Sequence, residues 1–184
     1  MGGSVGAAVL RGIERALMCV RPRRLPPVSP PTTVTDRESR EVHLRPYRDD
    51  FEALVEMYDG FDTSHRAQGI PPLGTGAVRQ WLEGFLSGPN VVALHGNRVV
   101  GHVSLVPDDS NGHELAIFVH QNYQNAGIGT RLLAAGLDHA RGRGVSYVWL
   151  TVERQSRHAK RLYRRAGFAT VDPRGAVQQM SRYL

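Results

Sequence analysis

The sequence predicts a mixed α/β sheet on three observations. Strand-like apolar runs alternate with segments of helical periodicity, and no internal repeat is present. The chain's 184 residues, 41% hydrophobic and 22% charged, make room for one domain with a proper core rather than two.

The elements follow in order. Residues 4–20 set Val9, Ile13, Leu17 and Val20 near helical spacing, and the prolines of RPRRLPPVSPP then break any helix. Residues 1–40 therefore read as a basic, Pro-rich extension, either an Arg-bearing targeting or interaction helix on a stiff linker, or a poorly ordered tail or over-extended start. The domain is expected over residues 41–184. EVHLRPYR alternates as a strand, and Phe51, Leu54, Val55 and Tyr58 mark an amphipathic helix. A loop covers residues 59–74, and a second helix runs from Thr75 through Trp81, Leu82 and Phe85. VVALHGNRVVGHVSLVP holds two strands around Gly96-Asn97, a two-residue hairpin signal. ELAIFV (114–119) and VSYVWLTV (145–152) are buried-type strands on either side of a helix carrying Ile128, Leu132 and Ala135. A helix from Arg157 to Ala166 stops at Gly167, and a final hairpin ends the chain.

Formal net charge is +6 with a sequence pI near 10.1, so the first expectation is a phosphate-bearing partner. The charge is bipolar: +4 over residues 1–40, −6 over 41–130 and +8 from Arg131 onward. An acidic middle opposes a long polyanion, which argues against a nucleic-acid module, and no nucleic-acid motif is present. Cys19 is the single cysteine, so no intrachain disulfide forms, which fits a cytoplasmic setting. Arg11, Glu14 and Arg15 interrupt the one apolar N-terminal stretch, so no membrane span is expected. The eight histidines show no HExxH or paired Cys/His spacing, and no metal is expected.

Chemistry concentrates between the 114–119 strand and the next helix. There Gln124, Gly127 and Gly129 form Q-x-x-G-x-G, a turn whose backbone amides and helix dipole suit a pyrophosphate. Taken alone, a tight strand-to-helix turn explains the same glycines. FVHQNYQNAGIGTRLL resembles the signature loop of the GNAT acetyltransferase superfamily, and RHAKRLYRRAGF (157–168) resembles that family's A-x-x-L-Y-x-x-x-GF helix at the expected distance. The resemblance covers roughly residues 41–184. It implies a mostly antiparallel sheet of about six or seven strands with about four helices, splayed where acyl-coenzyme A binds.

The resemblance also implies roles. Gln124, Asn125, Ala126, Gly127, Ile128, Gly129 and Thr130 would wrap the pyrophosphate, while the backbone of Ile117, Phe118 and Val119 would pair with the pantetheine arm. Tyr163 matches the tyrosine that protonates the leaving thiolate, although a helix-face aromatic packing on the sheet fits the residue alone. Glu114 matches a glutamate position suited to deprotonating the amine, an ammonium of pKa about 10.4; a solvent-facing strand start also explains it. Two departures stand out. Trp149-Leu150-Thr151-Val152 lacks the glutamate of many protein N-terminal acetylases, and Ser156 replaces the common asparagine seven residues before the tyrosine, where a serine can still donate to the coenzyme or cap the helix. The acceptor is expected at the 59–74 loop, with Asp62 and His65 as substrate residues.

The implied activity is acetyl-CoA-dependent N-acetylation of a primary amine, on a small molecule, peptide or protein, by direct attack. The chain would act as a monomer or homodimer. The alternatives are a GNAT-like acyl-CoA-binding protein whose catalysis has decayed and, in a different class, a basic nucleic-acid-binding module.

Overall fold

In the computed structural model, residues 24–62, 64, 70–172 and 174–184 are described. The helix read at residues 4–20 lies outside them. The elements are β1 (Thr32–Thr35), β2 (Glu41–Pro46), α1 (Phe51–Asp59), α2 (Thr75–Phe85), β3 (Asn90–His95), β4 (Arg98–Pro107), β5 (His113–Val119), α3 (Ile128–Gly142), β6 (Tyr147–Glu153), α4 (Arg157–Arg165), β7 (Ala169–Asp172) and β8 (Val177–Tyr183).

One eight-stranded sheet runs β1-β2-β3-β4-β5-β6-β8-β7. Every neighbouring pair is antiparallel except β5 with β6. The strand beyond the expected six or seven is β1, inside the stretch that the sequence read as an extension. Thr32–Thr35 pairs with residues 41–44, so the sheet starts before residue 41. Its short, threonine-rich run after two prolines carries little apolar signal. Residues upstream are also anchored, since Leu25 N–H donates to Arg165 C=O at 3.1 Å.

The sheet separates two apolar layers. On one face, α1 and α2 pack Leu54, Tyr58, Val78 and Leu82 against Val92 and Val99. On the other, α3 lays Ile128, Leu132, Leu133 and Leu137 over Val91, Val103, Leu105 and Leu115, with Leu162 and Tyr163 of α4 packed at its margin. Helix α3 comes very close to β4 because residue 136 is glycine. A Cβ there would lie 2.6 Å from Val103 Cγ1. Beneath α1, the Tyr58 hydroxyl donates to His102 Nδ1 and His102 Nε2 donates to Asn90 Oδ1, each at 2.8 Å. Asn90 Nδ2 donates to Gly88 C=O, which fixes the amide orientation and hence this tautomer. Burial drives the His102 pKa down to about 3, so the imidazole is neutral. Among the described residues, no helix is long and apolar enough to cross a membrane.

Candidate functional site

The site begins where the sheet fails to close. Strands β5 and β6 pair only through His113–Val148 and Glu114–Trp149, and beyond these residues the strands part. The phase of the β4–β5 ladder decides which backbone groups face the opening. His120 N–H donates to Val100 C=O at 2.9 Å, which puts Phe118, opposite His102, in the hydrogen-bonded phase toward β4. The alternation leaves the peptide groups of Ile117 and Val119 facing the gap. Phe118 contributes its ring instead, within 6.1 Å of the Tyr58, Phe61, Trp81 and Phe85 centroids on the α1–α2 face.

At the far end of β5 the chain makes a single 3₁₀ turn, Gln121–Tyr123, and then the glycine loop. Asn125 (φ 59°) and Gly127 (φ 91°) are left-handed, and this pair of reversals turns the chain into α3. No side chain caps α3. Its first-turn amides are therefore available to an anion, reinforced by the helix dipole. Ala126 and Ile128 bury their side chains and offer only backbone. Gly129 has open room, since a Cβ would meet nothing closer than Val119 Cγ2 at 3.6 Å. Gln124 Nε2 donates to Val119 C=O at 3.0 Å, so this side chain ties the loop to the strand. Thr130 stands in the first turn of α3.

Glu114 lies at the last paired position before the gap, in phase with Ala116 and Phe118 and therefore on the α1–α2 face. Burial first, and then the Asp108 carboxylate, raise its pKa above the ordinary value. Asp108 is held by the Trp149 indole N–H at 2.6 Å, by the amides of Ser110 and Gly112, and by the Ser110 hydroxyl. Those donors keep its carboxyl ionised, with the pKa drawn down to about 2. The Asp108–Trp149 link joins positions 41 apart in the chain, and no spacing rule exposes it.

Tyr163 sits on α4, on the other face, packed edge-on against Phe168 at 5.9 Å. Burial pushes its phenol pKa up to about 12. Glu114 and Tyr163 thus lie on opposite faces of the sheet. Ser156 occupies the α4 N-cap position without a side-chain capping bond.

On the acceptor side, the structure describes Asp62 but not His65. Asp62 Oδ1 accepts from the Ser64 amide and hydroxyl, a local turn at the end of α1. His65 lies outside the described residues. Sequence reasoning missed Gln121, which clamps this loop to the end of β5. Its Nε2 donates to Gly60 C=O at 2.8 Å and its Oε1 accepts from Asp62 N–H at 3.3 Å. It also missed the β1–β2 turn, where Arg37 N–H donates to Ala126 C=O at 3.0 Å and Arg40 packs over the Tyr123 ring at 4.3 Å. Among the described residues, no group of three or more His, Cys, Asp or Glu is placed to hold a metal ion.

Residues 51–168 match the acetyltransferase (GNAT) family. A mycothiol acetyltransferase of Thermomonospora curvata is 30% identical over 168 residues, 88% of this chain and 54% of that protein. A second, from Streptosporangium roseum, is 38% identical over 83 residues, 41% of this chain and 25% of that protein. The chain thus spans about half or less of the curated relatives it matches. Among solved structures, the GNAT domain of S. lividans PAT superposes with a TM-score of 0.69 at 20% identity, covering 83% of this chain and 96% of that one. A Salmonella typhimurium structure with its cofactor acetyl-CoA gives 0.62 at 22% identity, covering 77% and 93%. A ribosomal-protein-alanine N-acetyltransferase from Brucella melitensis gives 0.62 at 25%, covering 77% and 99%.

Proposed function

Since the chain belongs to the acetyltransferase (GNAT) family, we propose that it moves an acetyl group from acetyl-coenzyme A to a primary amine by direct attack. The observation that carries this reading is the conjunction of parted strands, an uncapped glycine loop at one end, and Glu114 and Tyr163 on opposite faces of the sheet. The residues fit the coenzyme: the left-handed Gly127, the room at Gly129 and the gap-facing peptides of Ile117 and Val119 form a cradle of backbone donors and acceptors.

Amides from Gly127 to Thr130 hold the pyrophosphate, and Ile117 and Val119 pair with the pantetheine amides. The coenzyme supplies an acyl group activated as a thioester. Glu114 takes the ammonium proton, directly or through water, so that the amine attacks as a free base. Gap-facing N–H groups of β5 stabilise negative charge developing on the carbonyl oxygen. Tyr163 donates its hydroxyl hydrogen to the departing sulfur as the C–S bond breaks, and the second proton that the attacking nitrogen sheds as the amide forms restores the phenol. The reactants meet across the gap, amine on the Glu114 side and thiol on the Tyr163 side, which requires no covalent enzyme intermediate.

The curated relatives are named for mycothiol, and this supports a small-molecule amine as the first acceptor class to try. The test is an acceptor panel that includes the amine substrate of mycothiol acetyltransferases, followed by thiol release. Acetyl-CoA-dependent release with at least one amine is expected. Coenzyme binding without release across the panel would favour a catalytically decayed acyl-CoA-binding protein.

A further inference from the structure

The turn between β1 and β2 folds back onto the glycine loop. Besides the Arg37 amide bond to Ala126, Arg37 Nη1 donates to Asn125 C=O and Arg40 Nη1 to Asn122 C=O, each at 3.2 Å. Between this turn, the first turn of α3 and the end of α4 lies a pocket of about 270 Å³ on which Arg37, Arg131 and Arg165 converge, beside Gly127 and Thr130. Three cations thus arrive from three elements far apart in sequence. The acid among the lining residues, Asp36, is already consumed. Its carboxylate pairs with Arg40 Nε at 2.7 Å and accepts the Glu38 and Arg40 amides at 2.8 and 3.0 Å. Among the described residues, neither Arg37 nor Arg131 forms an ion pair. The Arg37 Nε lies 3.9 Å from where Gly127 would carry a Cβ, so this charge stands at the loop itself.

The guanidinium groups of Arg37 and Arg131 beside a small concavity suit a phosphate monoester, which offers three acceptor oxygens and nearly two charges at neutral pH. A pyrophosphate on the loop is served by backbone amides, and the coenzyme carries a second phosphate one ribose away, the 3′-monoester of its adenosine. We propose that this pocket holds the 3′-phosphate of coenzyme A, with Arg37 and Arg131 as its ligands. The proposal rests on the acetyl-CoA reading given above.

Calorimetric titration with coenzyme A and with 3′-dephospho-coenzyme A separates the two. The wild-type protein is expected to bind coenzyme A at least about tenfold more tightly than the dephospho form, equivalent to about 1.4 kcal/mol. The Arg37→Gln/Arg131→Gln double variant is expected to bind both within about twofold, at the wild-type affinity for the dephospho form. Equal wild-type affinity for the two ligands overturns the proposal and leaves the acetyltransferase reading standing. So does a double variant that weakens both equally, because the arginines then serve the pyrophosphate. Failure of the wild type to bind either ligand overturns both readings. Both side chains are exposed, so thermal unfolding should be unchanged. If the double variant does not fold, Arg131→Gln on the surface of α3 carries the same comparison.

Discussion

Replacing Tyr163 with phenylalanine removes one oxygen and leaves the ring where it packs on Phe168. The expected effect follows from the buried setting of the phenol. With its pKa pushed up to about 12 and a free thiol at about 8.5, complete proton transfer to a thiolate would be uphill by about 3.5 pH units, or about 5 kcal/mol. On the proposed mechanism Tyr163 would therefore stay protonated through the physiological range and act as a hydrogen-bond donor to charge developing on sulfur, its proton moving only as the C–S bond breaks. A hydrogen bond to a charged group is worth about 1.5–3 kcal/mol, roughly 10- to 150-fold in rate, and general-acid assistance extends to about 10⁴-fold. Tyr163→Phe should lower kcat by about 10²-fold in a thiol-release assay. Coenzyme Kd, read by fluorescence titration, should hold within about twofold. The raised pKa adds a second expectation: kcat should show no alkaline fall from Tyr163 near pH 10, the ordinary phenol value. A variant within about threefold of wild-type kcat, or an alkaline limb near 10 that Tyr163→Phe abolishes, would refute the reasoning.

Other expectations concern single groups. Glu114→Gln should cost kcat/KM about 10²-fold or more and remove an acid limb lying above the ordinary carboxylate value, because burial and Asp108 raise the Glu114 pKa; the pH–rate profile of each protein checks this. Gly127→Ala places a side chain at φ 91° and should cost about 1–2 kcal/mol in denaturant unfolding, whereas Gly129→Ala adds an ordinary contact to Val119 and should leave unfolding within about 0.5 kcal/mol. Gly136→Ala drives a methyl into the stiff Val103 side chain and should destabilise by about 1–3 kcal/mol, with partial rescue by Val103→Ala. For His102, the folded pKa of about 3 lies below the unfolded value near 6.5, so the unfolded chain binds the extra proton. Stability is complete above pH 6.5 and declines as pH falls toward 3, and urea unfolding between pH 7.5 and 5 should already show the onset of that decline.

The parts legible in the sequence are those where one segment carries its own signal. The glycine loop and the Tyr163 helix each hold a local pattern, and the apolar runs of β5 and β6 declare buried strands. Strand β1 escaped because TTVT follows two prolines and earns its place only by pairing with β2, an interaction no periodicity encodes. Arg37 at Ala126, Gln121 at Gly60 and Asp108 at Trp149 escaped for the same reason, each joining distant positions through a single bond. The division of labour along β5 was hidden too. A sequence shows three consecutive apolar residues at 117–119, whereas the hydrogen-bonding phase of the β4 ladder assigns the backbone of Ile117 and Val119 to the opening and the ring of Phe118 to the aromatic wall.

The seam between β5 and β6 also bears on how the molecule holds together. Strands β1–β5 form one panel and β6–β8 another, joined within the sheet at only two residue pairs. An extended ligand lying in the seam would act as a mending strand, stitching panels that otherwise touch at one end. Occupancy should then register as rigidity: amides of Ile117 and Val119 that exchange quickly with solvent in the free protein should become protected on binding, even in a Tyr163→Phe protein that turns nothing over.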